Sequence, residues 1–343
     1  MKGILILLSV IAAFVLSGCD DTKPVERAVY YWRTTLTISE KECAFLADKG
    51  VDIVYLHLFD VVERDGEFRP SSTLRFKDRL PSSVKVIPVV FIESGLIKKG
   101  SDVDSLAGLI IRRADKMLTV NGYPKPDEIQ IDYDWTLTNR EPYFSVLARA
   151  REIMALRGGK VSTTIRLHQL SQPAPPVDYG ALMVYNVGNI TRVDEENSIL
   201  LEKTVEPYLN NLRNYDLPLV TALPVYSWDI IFSGREFQAI AKSLNLDDTT
   251  MFTRLDENHF RCNRYGPMTM AGTANSDAGR IYPGDIVRNE FVKPETLTAV
   301  LKDIRQVNPE ATRRLILYHL DEKSLDHYET EFLEKLFGGT NAR

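Results

Sequence analysis

Eight short runs of apolar, β-branched and aromatic residues recur along this chain, and the stretches between them carry the 3.6-residue periodicity of amphipathic helices. The runs are AVYYW (Ala28–Trp32), VDIVYLHLF (Val51–Phe59), VKVIPVVFI (Val84–Ile92), IQIDYDW (Ile129–Trp135), KVSTTIRL (Lys160–Leu167), ALMVYNV (Ala181–Val187), LVTALPVY (Leu219–Tyr226) and RLILYHL (Arg314–Leu320). Between them lie helical patterns such as SEKECAFLADKG, VDSLAGLIIRRADKMLTV, YFSVLARAREIMALRGG, TVEPYLNNLRNY and ETLTAVLKDIRQV, several ended by Gly or Asn. Strand and helix alternating in this way predict an α/β fold, the (β/α)8 or TIM barrel. A doubly wound open sheet is the competing arrangement, but it would usually show a glycine-rich phosphate turn after an early strand, and none is present. The segment between strands seven and eight, about Trp228 to Pro294, is expected to be an insertion with its own short elements, and its GDIVRNE stretch (Gly284–Glu290) is assigned to the surface.

Composition sets the class of protein and removes some partners. The 343 residues are 44% hydrophobic and 26% charged, which suits a globular chain with a sizeable core. A net charge of -5 argues against a nucleic-acid partner. No Cys/His spacing resembles a metal site, and no cofactor is expected. No solenoid repeat or low-complexity linker marks a second domain.

The N-terminus reads as an export signal. Met1-Lys2 precedes ILILLSVIAAFVL, which is short for a membrane span but right for the hydrophobic part of a secretory signal. It ends in Leu16-Ser17-Gly18-Cys19, which resembles the bacterial lipobox. That resemblance implies a signal peptide over residues 1–18 and a lipid-modified Cys19 that anchors the mature chain to a membrane of the cell envelope. A polar tether over residues 19–26 would then lead into one barrel domain over residues 27–338. Cys43 and Cys262 remain, and both a disulfide and two free thiols are compatible with an oxidising compartment.

The fourth run carries the chemistry. In IQIDYDW, Ile129, Ile131 and Tyr133 alternate with Gln130, Asp132 and Asp134, so the polar set shares one face. In a sheet with one wet face this would be ordinary outward polarity. Inside a barrel, carboxylates aimed at the axis are costly unless they serve a site. Two carboxylates about 7 Å apart on one strand face also disfavour each other's ionisation, which favours a retained proton.

DEIQIDYDW (Asp127–Trp135) resembles the fourth-strand motif of glycoside hydrolase family 18, D-G-x-D-x-D-x-E. LMVYN (Leu182–Asn186) resembles the sixth-strand M-x-Y-D/N motif of that family, PVYSW (Pro224–Trp228) its seventh-strand aromatics, and FIESG (Phe91–Gly95) is a fainter echo of its third-strand S-x-G-G. The chain is similar as well to an uncharacterised group of bacterial lipoproteins with related barrels. The family resemblance implies catalytic roles for Asp134 as general acid, Asp132 as the group that orients an acetamido substituent, and Tyr185 as its hydrogen-bonding partner. It also implies a glycan ligand, with Asn186, Gln130, Trp135, Tyr226 and Trp228 as substrate-binding residues. Asp134 stands where the family has glutamate, and Gln130 where it has aspartate. Aspartate is one methylene shorter, about 1.5 Å of reach, a displacement that can cost roughly a hundredfold in rate.

Two functions are therefore expected. One is a glycoside hydrolase-like enzyme acting on a glycan, one containing N-acetylhexosamine being the form the family implies. The other is a catalytically silent barrel lipoprotein that binds glycan or a partner protein. Arg166 bears on the choice, since pairing with either aspartate would favour its ionised form. Glu93 is assigned to an exposed loop, and His57, His168 and His319 to structural roles.

Overall fold

The computed structural model describes residues 24–241, 244–269 and 278–338. The expected signal segment, Cys19 and the tether as far as residue 23 lie outside the described residues. Eight parallel strands form the barrel: β1 (Glu26–Tyr31), β2 (Ile53–Arg64), β3 (Lys85–Ile92), β4 (Glu128–Asp132), β5 (Lys160–Arg166), β6 (Tyr179–Met183), β7 (Leu219–Pro224) and β8 (Arg314–Tyr318). Each pairs with the next. The sheet closes because Ala28 of β1 is in register with Ile53 of β2 on one side and with Ile316 of β8 on the other. Each of the eight runs singled out from the sequence overlaps one of these strands.

Four long helices cover the barrel: α1 (Glu40–Asp48), α2 (Val103–Val120), α3 (Arg140–Ala155) and α4 (Pro294–Val307). Ser39 and Glu42 start α1 with a reciprocal capping box, each side chain accepting from the other's backbone N–H. The alternation is less regular than expected. After β2 the chain folds back as an antiparallel hairpin strand, Glu67–Ser71, through the Asp65-Gly66 turn, where both residues have positive φ as a two-residue hairpin loop requires. After β5 a 3-10 turn (Leu167–Ser171) replaces the helix, and after β6 Pro207 divides the helical stretch into Glu202–Val205 and Leu209–Arg213.

The N-terminal end of the barrel is plugged. Arg314 donates to Tyr55 and Tyr179 hydroxyls at 2.8 and 2.9 Å, and Tyr179 in turn donates to the buried Glu128 carboxylate. The opposite end is built from polar and aromatic groups and is the place for a site.

Between β7 and β8 lies a second sheet of five antiparallel strands, in the spatial order Glu236–Ala241, Ser227–Ser233, Ile286–Phe291, His259–Cys262 and Phe252–Arg254. One face carries its own core of Ile231, Phe252, Phe260, Cys262 and Val287. The GDIVRNE stretch, assigned to the surface from sequence, supplies the central strand of this sheet. Arg288 and Glu290 are both buried and pair at 2.7 Å, so the run of charges that suggested solvent is an internal ion pair. Cys262 sits in this core and Cys43 on α1; both are free thiols. Among the described residues no helix is long and apolar enough to cross a membrane.

Candidate active site

The period-two alternation of β4 and β5 places their inward side chains in layers along the barrel axis. Gln130 is level with Ser162 in the strand register, Asp132 meets Thr164 one layer up, and Asp134, just past the end of β4, meets Arg166 at the mouth. The other face behaves as its apolar residues demand: Tyr133 packs on Tyr143 of α3 with ring centres 4.9 Å apart, and Tyr143 Oη donates to the Ile131 carbonyl. The two aspartates are thus brought together in the barrel, as the alternation implied.

Arg166 bridges them. Its Nη2 lies 2.5 Å from Asp134 Oδ1 and 3.5 Å from Asp132 Oδ1, and its Nε donates to Asp134 at 2.6 Å. Burial alone would pull the guanidinium down, but the two carboxylates more than offset it and hold Arg166 charged. Asp132 is fully enclosed and accepts from Thr164 Oγ1 at 2.5 Å. Burial lifts its carboxyl above the usual carboxylate range, against the pull of Arg166 and Thr164.

That shift has a sign that can be measured. A carboxyl raised in the folded state keeps its proton at pH values where the unfolded chain has lost it. Its contribution to stability is complete below the unfolded value of about 3.9 and is lost as pH rises through the folded pKa. Asp132→Asn is therefore expected to flatten the fall in stability as pH rises above the unfolded value of about 3.9. Urea midpoints of the two proteins over that rise provide the check, and parallel curves would contradict the assignment.

Aromatic rings complete the mouth. Tyr318, the last residue of β8, touches Tyr30, Tyr185 and Tyr226, with ring centres 5.6, 5.1 and 5.5 Å away. Tyr226 extends the chain to Trp228 at 5.3 Å, on the rim. Tyr226 Oη also donates to Asn186 Oδ1, which holds Asn186 in the left-handed region at φ 56°. Tyr185 is buried and its hydroxyl has no hydrogen-bond partner among the described residues; burial pushes it well above the ordinary tyrosine range. On the other side Trp32 stacks on His57 at 4.4 Å, and His57 is bonded to Asp60.

The expected residues thus divide. Asp132, Asp134, Tyr185, Asn186, Tyr226 and Trp228 gather at the mouth. Gln130 lies one layer deeper, its amide oxygen taken by Tyr30 Oη at 2.7 Å. Trp135 does not join them: it is 2% exposed, packed edge-on against Phe144 of α3 and covered by Gln169. Its ring is buried against α3 rather than facing the mouth, because the chain leaves β4 at Asp132 and the next turn carries the indole to the helix side of the barrel wall. Glu93 is exposed, as expected. His168 lies exposed on the turn after β5. His319 is half-buried, its Nδ1 has no hydrogen-bond partner among the described residues, and burial pulls it down to about 4.

Thr164, Tyr318 and Trp32 were not singled out from the sequence. All three stand at or near the C-terminal ends of strands, and Ser162, Thr164 and Arg166 alternate as the β4 residues do, so period two carried the signal.

The chain is a closed (β/α)8 barrel whose mouth joins a carboxylate pair to a set of aromatic side chains. Solved structures with this fold include the spore cortex-lytic enzyme SleL of Bacillus megaterium, 12% identical with a TM-score of 0.56 over 92% of this chain and 74% of that one. A chitinase of Chromobacterium violaceum is 12% identical, with a TM-score of 0.52 over 93% of this chain and 99% of that one. A mutant catalytic domain of an Ostrinia furnacalis Group II chitinase, in complex with (NAG)5, is 11% identical, with a TM-score of 0.53 over 92% of this chain and 96% of that one. No protein-family model matches the sequence, and no curated protein matches it.

Proposed function

We propose that this chain is a lipid-anchored envelope protein that binds a glycan containing N-acetylhexosamine at the barrel mouth without cleaving it. The observation that carries this reading is the Arg166 bridge. A general acid must hold a proton within reach of the leaving oxygen, whereas Asp134 spends its carboxylate on two N–H donors of Arg166. The aromatic set from Tyr318 to Trp228 is unaffected by that pairing and offers the apolar faces that sugar rings stack on. The (NAG)5 complex of a similarly folded chitinase supports the choice of ligand. Cys19 and the hydrophobic run before it support the anchor.

Hydrolysis is the second reading, and Asp132 favours it. Burial raises its carboxyl and so favours its protonated form beside the mouth, and loss of the Arg166 contact on substrate binding would free Asp134 as the acid.

Calorimetry and a turnover assay with chitopentaose separate the two. Binding without turnover is expected, and Trp228→Ala is expected to weaken it roughly 10- to 100-fold, as loss of a stacking aromatic does. Turnover by the wild type that vanishes in Asp134→Asn would replace the binding reading with the hydrolase. Absence of binding to this and other N-acetylhexosamine glycans would remove both. The mass of the native N-terminal peptide tests acylation of Cys19.

A further inference from the structure

Glu290 lies outside the carboxylate pair and is the most heavily engaged buried acid at the base of the insertion. It is 1% exposed and sits directly across from Trp228 in the antiparallel ladder. Its Oε2 accepts from Trp228 Nε1 at 2.7 Å and from Ser198 Oγ at 2.6 Å; its Oε1 accepts from the Ser198 N–H at 2.9 Å and faces Arg288 Nε at 2.7 Å. One carboxylate therefore ties together three pieces of chain: the β6–β7 segment, the first insertion strand and the central insertion strand. Asn197 donates to the Phe291 carbonyl beside it, and Ser227 is bonded to His327 on the other side, so the root of the insertion is held from both flanks.

We propose that Glu290 is a positioning residue that fixes the Trp228 indole on the rim of the cleft, through Trp228 Nε1, for contact with a sugar face; this rests on the glycan-binding reading. The chemistry asks for a carboxylate in particular. The Ser198 and Trp228 N–H groups and the Arg288 guanidinium can only donate, and only an ionised carboxylate accepts at both of its oxygens. A tryptophan half exposed on a rim has several rotamers open to it, and an anchored N–H removes that freedom before a ligand arrives. The order passes on to Tyr226, whose ring meets Trp228 edge-on at 5.3 Å and whose hydroxyl holds Asn186.

Glu290→Gln tests this role, and it also removes the counter-charge of Arg288. Its amide oxygen will turn toward Ser198 N–H and Arg288, since both are obligate donors. The NH2 then faces Ser198 Oγ, which can rotate to accept, and Trp228 Nε1, which cannot. The substitution thus releases the indole while keeping the shape of the side chain.

The test uses the full chain labelled with 5-fluorotryptophan. Its three tryptophans give three fluorine resonances, and Trp228→Phe assigns one of them. Glu290→Gln is expected to move the Trp228 resonance and leave those of Trp32 and Trp135 in place. It is also expected to weaken chitopentaose about fivefold, on the scale of one hydrogen bond, and to have no further effect once Trp228 is phenylalanine. An unmoved Trp228 resonance, or an equal loss of affinity in the Trp228→Phe background, overturns the proposal. A moved resonance in a protein whose wild type does not bind chitopentaose upholds the anchor and removes the glycan reading. Should Glu290→Gln fail to fold, Glu290→Asp keeps the charge but withdraws it from the indole, and the same resonance decides.

Discussion

Replacing Trp135 by alanine is expected to cost about 3–5 kcal/mol of folding stability, the range for truncating a fully buried large aromatic, and to leave the glycan affinity of the folded protein unchanged. The ring is enclosed between the barrel and α3, edge-on to Phe144 with centres 5.4 Å apart, and its backbone carbonyl is capped by Gln169 Nε2. Little there can collapse into the space, since Phe144 is packed on Tyr143 and Tyr143 on Tyr133. Denaturant unfolding gives the stability and calorimetry on the folded protein gives the affinity. A loss of affinity with stability intact would return Trp135 to the cleft. The contrast with Trp228→Ala matters, because from the sequence the two tryptophans stood as equal candidates.

The second large effect concerns Arg288. Its side chain and that of Glu290 are both 0% exposed, and Arg288 also donates to the carbonyls of Arg192 and Ile190. Arg288→Met would leave a carboxylate buried without its cation and take one donor from each of two carbonyls. The expected cost is about 3–5 kcal/mol. The double variant Arg288→Met/Glu290→Leu removes both charges and is expected to recover much of that loss, because burying an ion pair repays its desolvation only partly. The single and double variants compared by urea unfolding measure the coupling. If the double variant is as unstable as the sum of the singles, the pair is not the reason for the loss.

Some of this molecule was legible in one dimension. A strand's side chains alternate by geometry alone, so IQIDYDW had to divide its aspartates from its isoleucines, and a closed barrel had to turn one set inward. The same rule applied to KVSTTIRL would have given Thr164 and Arg166 their place. Strand order followed from chain order, since a parallel barrel built of successive units leaves little choice of neighbour. The Asp65-Gly66 hairpin was written in its turn residues, which adopt positive φ at low cost.

What the sequence could not decide was which groups meet across distances in the chain. Arg166 and Asp134 are 32 residues apart, and only closure of β4 on β5 sets the guanidinium 2.5 Å from the carboxylate, changing a candidate acid into half of an ion pair. Trp135 and Trp228 have identical side chains, yet one follows the chain behind the barrel wall and the other rises to the rim. GDIVRNE reads as surface because its charges look solvated. Arg288 and Glu290 are nonetheless buried, because each is the other's counter-charge on the same strand and their further hydrogen bonds come from the strand opposite and the segment between β6 and β7. Local periodicity sets the direction in which a side chain points. The cost of burying a charge depends on what else lies within a few ångströms, and that is decided only when the tertiary structure closes.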